Sequence, residues 1–94
     1  MARPPRLSDA EVQQRLGAIP LWARRDDTIT RTFTFAGFPD AITFVQKLVA
    51  PAEAMGHHPD VDLRYNRVII TLSTHDQRGL TAFDFDLAAQ IDAV

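Results

Sequence analysis

Thr28-Ile29-Thr30-Arg31-Thr32-Phe33-Thr34-Phe35 alternates strictly, with threonines at the even positions and Ile29, Arg31, Phe33 and Phe35 at the odd ones. Successive side chains of a strand leave opposite faces of the pleat, so β-branched and aromatic residues at a period of two predict a half-buried strand. Just upstream stand Leu21-Trp22-Ala23-Arg24-Arg25 and then Asp26-Asp27, and the aspartate pair suits a tight turn. The two runs together predict a hairpin. Downstream, Val61, Leu63 and Tyr65 alternate with Asp60, Asp62 and Arg64, which predicts a third strand. Tyr65-Asn66-Arg67 turns into a fourth over Val68 to Thr74, with Val68, Ile70 and Leu72 on one face. Its other face carries Ile69, Thr71, Ser73 and His75.

Three helical patterns surround these hairpins. Ser8 and Glu11 have the spacing of a capping box, Leu7 and Val12 that of a hydrophobic staple, and Gly17 with Pro20 ends the element, giving a helix over about 8–18. After Ala36-Gly37, Pro39 fits the first helical position, and Ala41, Phe44, Val45, Leu48, Ala52 and Met55 recur at three- and four-residue steps. Pro51 has no N–H for the carbonyl of Lys47, which predicts a kink or early fraying, and Gly56 suits a left-handed terminator. After Gly79, Thr81 and Asp84 repeat the capping-box spacing, Leu80 and Phe85 the staple, and Phe83, Leu87 and Ile91 line up along a last helix. The order α-β-β-α-β-β-α predicts an α+β fold, a four-stranded, mainly antiparallel sheet with helices packed on one face. The opposite face is left for solvent, a ligand or another subunit.

The chain has 94 residues, 46% hydrophobic and 23% charged, which predicts a single packed domain over 1–94, with 1–6 as a loose tail. So short a chain buries a modest share of its surface, so a partner subunit is expected. A net charge of -2 gives no reason to expect nucleic acid or an anionic membrane as partner. Without cysteine, disulfides, thiolate nucleophiles and thiolate metal sites are excluded. No apolar run approaches the roughly 20 residues of a membrane helix, and no apolar stretch follows the basic start as in a secretory signal. The expected location is cytoplasmic.

All three histidines fall in two short segments, Glu53-Ala54-Met55-Gly56-His57-His58-Pro59 and Ser73-Thr74-His75-Asp76. An imidazole with its ordinary pKa of about 6.5 gives and takes protons near neutrality. Neighbours in extended chain point apart, so His57 and His58 should have different jobs, and Pro59 stiffens the pair by holding His58 extended. Adjacent histidines converge poorly on one ion, and there is no helical pair at four-residue spacing, so no metal site is expected. On spacing alone, a proton-transfer cluster and a plain surface loop both fit.

The first segment matches the Glu-x-x-x-His-His-Pro signature of the pterin-4a-carbinolamine dehydratases, and Tyr65-Asn66-Arg67-Val68-Ile69-Ile70-Thr71-Leu72-Ser73-Thr74-His75 resembles that family's second block in register. Gly79-Leu80-Thr81, Asp84 and Leu87-Ala88 continue the likeness, which runs from about Leu7 to the end of the chain. The resemblance narrows the expected assembly to a homodimer or homotetramer and implies a hydro-lyase, free of metal and organic cofactor. It would dehydrate 4a-hydroxytetrahydrobiopterin to quinonoid dihydropterin and water in tetrahydrobiopterin recycling, coupled to an aromatic amino acid hydroxylase. Elimination asks for an acid near the leaving hydroxyl and a base near the ring N5 proton. By the resemblance, His57, His58 and His75 are catalytic. His57 and His75 would exchange protons from opposite sides of the ring, and His58 would mainly hold the substrate. The implied substrate-binding set is His58, Ser73, Thr74, Glu53 and Asp84.

Several of these residues have a second reading. Glu53 stands one helical turn before His57 and is either its orienting carboxylate or an exposed helix residue. Asp84 is equally accounted for as the cap of the last helix, Asp76 as a solvated carboxylate and Trp22 as core packing. Three positions depart from the family pattern. Val61 stands where many relatives carry tryptophan, Pro51 interrupts the long helix, and Phe83 replaces a commonly polar residue. Some members also serve as dimerisation cofactors for a transcription factor. The alternative reading is therefore a pterin-binding or protein-interaction module, including a molybdopterin-related role, for which an exposed apolar helix stripe would speak.

Overall fold

The computed structural model describes residues 3–94. In chain order the elements are α1 (Asp9–Leu16), β1 (Ala23–Arg25), β2 (Thr28–Thr34), α2 (Phe38–Lys47), α3 (Val49–Met55), β3 (Asp60–Arg64), β4 (Arg67–Leu72), a 3-10 turn (His75–Gln77) and α4 (Ala82–Asp92). The strands form one antiparallel sheet in the order β1-β2-β4-β3. Its register pairs Phe33 with Val68 and Ile29 with Leu72, so the odd positions of β2 and the even positions of β4 share a face. Ile29, Val68, Ile70 and Leu72 are completely buried there against Val12, Phe44, Leu87 and Ile91 from the helices. Thr32 and Thr34, on the other face, are exposed. The α+β architecture read from the sequence is the one observed.

Both capping boxes form. The Ser8 hydroxyl accepts from the N–H of Glu11 and the Glu11 carboxylate from that of Ser8; these bonds from Ser8, its backbone N–H foremost, hold the Glu11 carboxyl below its usual 4.5. Both hairpins close through two-residue turns whose first residue is left-handed, Asp26 at φ 53° and Tyr65 at φ 55°. Tyr65 therefore belongs to the turn rather than to β3.

Three local expectations change. The long middle helix is two helices that meet at Leu48, because Pro51 has no N–H for the carbonyl of Lys47 and its ring crowds that carbonyl. A new helix starts at Val49, and Pro51 then sits in its first turn, where no N–H is needed. Pro39 occupies the second helical position rather than the first, at equally little cost. The fourth strand stops at Leu72 instead of Thr74. Residues 73–79 fold back through the 3-10 turn, closed by the bridge of Thr74 to Gly79 and left-handed Arg78.

Of the expected tail, Met1 and Ala2 lie outside the described residues. Arg3 donates to the carbonyl of Gly56, Arg6 pairs with Asp27, and the N–H of Leu7 donates to the carbonyl of Leu80. No helix among the described residues is long and apolar enough to cross a membrane.

Trp22 is 4% exposed and packs edge-on to Phe33, so it belongs to the core. Its indole N–H donates to Asp92 at 2.8 Å, and the same carboxylate oxygen takes Arg31 at 2.5 Å. This node ties the end of α4 to β2 and to the segment after α1. Trp22→Phe removes the donor and leaves a void, so urea unfolding should show a loss of about 2 kcal/mol.

Candidate active site

Gly56 ends α3 in the left-handed conformation, at φ 61°, and the N–H groups of Gly56 and His57 fold back onto the carbonyls of Glu53 and Ala52. That turn drives His57 inward, to 5% exposure, above the first turn of α4. His58, held by Pro59, points the other way, and its side chain is 63% exposed. The two rings differ in exposure and in partner, His57 on Asp84 and His58 on Glu53.

Beneath His57 lies a buried polar chain. Asp84 has no exposed surface. Its Oδ2 accepts from the N–H of Thr81 at 2.9 Å and the hydroxyl of Thr74 at 2.8 Å, and its Oδ1 meets His57 Nε2 at 2.6 Å. The Thr74 and Thr81 hydroxyls lie 2.8 Å apart, and Thr81 Oγ1 accepts from the N–H of Phe83. Since Thr81 Oγ1 accepts there and Thr74 donates to Asp84, the Thr81 hydroxyl proton points to Thr74, and every group is satisfied. An ionised carboxylate is acceptor-only, so His57 must hold its proton on Nε2. In the neutral ring, Nδ1 then carries the lone pair. Among the described residues no buried side-chain nitrogen or oxygen lacks a partner and none bonds Nδ1, so Nδ1 is the atom that emerges at the surface.

His57, His58 and His75 reach one cleft of about 290 Å³, together with Ser73, Thr74, Arg3 and Asp76. The two histidine-bearing segments thus converge, because β4 runs antiparallel beside β3 and delivers its last residues next to the start of that strand. Ser73 is tied down by its hydroxyl, which donates to the carbonyl of Asp27 at 2.8 Å. His75 opens the 3-10 turn, exposed. Phe83 lies against the His57 ring with centroids 5.8 Å apart.

Two assignments shift. Glu53 holds His58, with Oε2 2.5 Å from Nε2, and not His57. The turn at Gly56 carries His57 away from the helix face that Glu53 occupies. Asp84, expected to cap α4 or touch a bound molecule, does cap it but lies under the cleft floor, where it grips His57. The cap was legible in the sequence. The second grip was not, although a carboxylate has more lone pairs than a capping box uses. Arg3 and Asp76 were missed as cleft residues because neither belongs to a recognisable spacing.

On the far side of His58 a second pocket of about 190 Å³ is walled by Val45, Leu48, Val49, Ala52, Pro59 and Val61. Apart from His58 and Glu53 it offers no group able to move a proton. Among the described residues no three histidine, aspartate or glutamate side chains gather as metal ligands.

The profile of the family described as pterin 4 alpha carbinolamine dehydratase matches residues 5–94. A protein of Roseiflexus castenholzii provisionally named pterin-4-alpha-carbinolamine dehydratase is 52% identical over 88 residues, which cover 94% of this chain and 95% of the relative. A crystal structure from Brucella melitensis, described as a transcriptional coactivator/pterin dehydratase, superposes with a TM-score of 0.89 at 36% identity, covering 94% of this chain and 96% of the other. A pterin dehydratase-like protein identified as a RuBisCO assembly factor in the alpha-carboxysome gives a TM-score of 0.63 at 25% identity, over 77% and 83% of the two chains.

Proposed function

This chain belongs to the pterin 4 alpha carbinolamine dehydratase family, and on that premise we propose that it eliminates water from a 4a-hydroxytetrahydropterin, with the three histidines as its proton carriers. The observation that carries the reading is the buried pair of Asp84 and His57 beside a cleft shared with His58 and His75, a bond that in the neutral ring reserves Nδ1 as the base. A neutral imidazole in this tautomer is a base, so His57 takes the N5 proton of the substrate. The N5–H electron pair forms the C4a–N5 double bond, the C4a–O bond breaks, and the hydroxyl leaves as water on accepting a proton. His75, whose ring has no acceptor held against it among the described residues, is the acid from the other segment. His58, with its Nε2 on Glu53, holds the ring and is a second proton source. Ser73 and Thr74 form the wall at the end of β4. The physiological setting that suits this chemistry is recycling of tetrahydrobiopterin beside an aromatic amino acid hydroxylase, in the cytoplasm.

The test is decay of enzymatically generated 4a-hydroxytetrahydropterin, followed by absorbance, with and without purified protein. Faster decay that EDTA does not change is the expected result. A decay rate equal to the blank removes the proposal.

A second reading rests on a different surface. Val49 is 59% exposed and Val61 42%, flanking the apolar pocket beside the edge strand β3. An uncovered apolar face of this kind suits a protein partner or a second copy of the chain. It is compatible with the catalytic reading, because the cleft opens on the far side of His58.

A further inference from the structure

Arg3 lies just before the stretch that the family profile matches, 5–94. It nevertheless touches both histidine-bearing segments from the cleft side, as Asp84 does from beneath. Its Nη1 donates to the carbonyl of Gly56, immediately before His57, at 2.9 Å. Its Nε lies 3.5 Å from the carboxylate of Asp76, immediately after His75. The guanidinium also stands over the ring of Phe83, 5.6 Å from its centroid, and that ring packs on His57. Its side chain is only 32% exposed and forms part of the cleft wall.

We propose that Arg3 is a positioning residue, a brace across the mouth of the cleft that sets the separation of the His57 wall from the His75 wall. The inference rests on the catalytic reading above. The physical need for a brace is plain on the His75 side. The 3-10 turn is three residues long, His75 and Asp76 are exposed, and the turn is closed chiefly by backbone bonds to Thr74 and His75 themselves. Short 3-10 segments hold their geometry weakly. The His57 ring itself is fixed from beneath by Asp84, whose hold on the other segment stops at Thr74, one residue before His75. A planar guanidinium presents several donors in a rigid fork, so one side chain meets a carbonyl on one wall and a carboxylate on the other. A lysine ammonium on its flexible stem does not reproduce that span.

The experiment compares wild type, Arg3→Ala and Arg3→Lys in the full chain by steady-state dehydratase kinetics and by the imidazole NMR signals of histidine-labelled protein. Displacement of an acid from its base by a fraction of an ångström lowers turnover, so kcat of Arg3→Ala should fall by about tenfold with KM nearly unchanged. Arg3→Lys should recover less than half of that loss, and thermal melts of all three should agree. The ring signals of His57 and His75 should move or broaden in Arg3→Ala, and those of His58 should stay. A rise in KM alone would make Arg3 a substrate contact, and an unchanged kcat would make it ornamental; either overturns the brace. If wild type proves inactive, the catalytic reading falls and the NMR comparison decides the brace by itself, with unshifted His57 and His75 signals ending it.

Discussion

His57→Gln lowers the protein's acceleration of carbinolamine dehydration by about 10²–10⁴-fold, the usual worth of a positioned general base, while the fold survives. The choice of glutamine follows from the geometry. The amide nitrogen of glutamine falls close to where Nε2 sits, so it still donates to Asp84, and the buried carboxylate keeps its partner. What disappears is the lone pair on Nδ1, for which glutamine has no equivalent. His57→Ala would confuse two effects, because it would leave the Asp84 charge buried with one partner fewer. Initial rates on 4a-hydroxytetrahydropterin, beside a urea melt of the same preparation, separate chemistry from stability. A wild-type rate in His57→Gln means that proton abstraction lies elsewhere in the cleft.

Asp84→Ala produces the largest loss of stability expected of any single change in this chain, about 3–5 kcal/mol, because three buried donors lose their acceptor together. These are the His57 ring, the Thr74 hydroxyl and the Thr81 N–H, and Thr74, Thr81 and Asp84 are at most 1% exposed. The same change removes half of the capping box of α4. For a domain of this size each kcal/mol lowers Tm by roughly 4–8 °C, so the melting point should drop by about 15 °C or more. Thermal unfolding followed by circular dichroism measures it, and a shift below about 5 °C would mean that the network contributes little beyond filling space. Asp84→Asn makes the complementary point. It retains an acceptor for Thr81 and Thr74 but turns an N–H toward His57 Nε2, which moves the ring proton to Nδ1. Activity should then fall by about 10²-fold or more with a much smaller change in Tm, since a base in the wrong tautomer has no lone pair where it is needed.

The strands, the helices and both capping boxes were legible because each depends on periodicities of a few residues. Alternation over Thr28–Phe35 fixes which side chains share a face, and Ser8 with Glu11 and Thr81 with Asp84 are pairs whose partners lie three residues apart. The misreadings were also local in scale but set by competition. Pro51 predicts an interruption, yet whether a helix bends or restarts depends on whether Leu48 gains enough from burial to anchor both halves, and it is 3% exposed. The alternation of β4 continues through Thr74, two residues past the strand's end at Leu72, while the chain turns to bring Thr74 onto Asp84.

The amino-acid sequence by itself determined an α+β sheet with its core face, the family, and the two segments that carry histidine. It could do so because amphipathic periodicity and capping act between residues close in the chain. Only the tertiary structure decided which carboxylate serves which histidine. Glu53 lies five residues from His58 and Asp84 lies 27 from His57, yet both make direct bonds, and the left-handed turn at Gly56 is what exchanges their partners. Burial then turns the Asp84 bond into a choice of tautomer. The position of Arg3 across the cleft is of the same kind, a contact over 53 residues of chain that exists because two loops end 2.9 Å and 3.5 Å from one side chain.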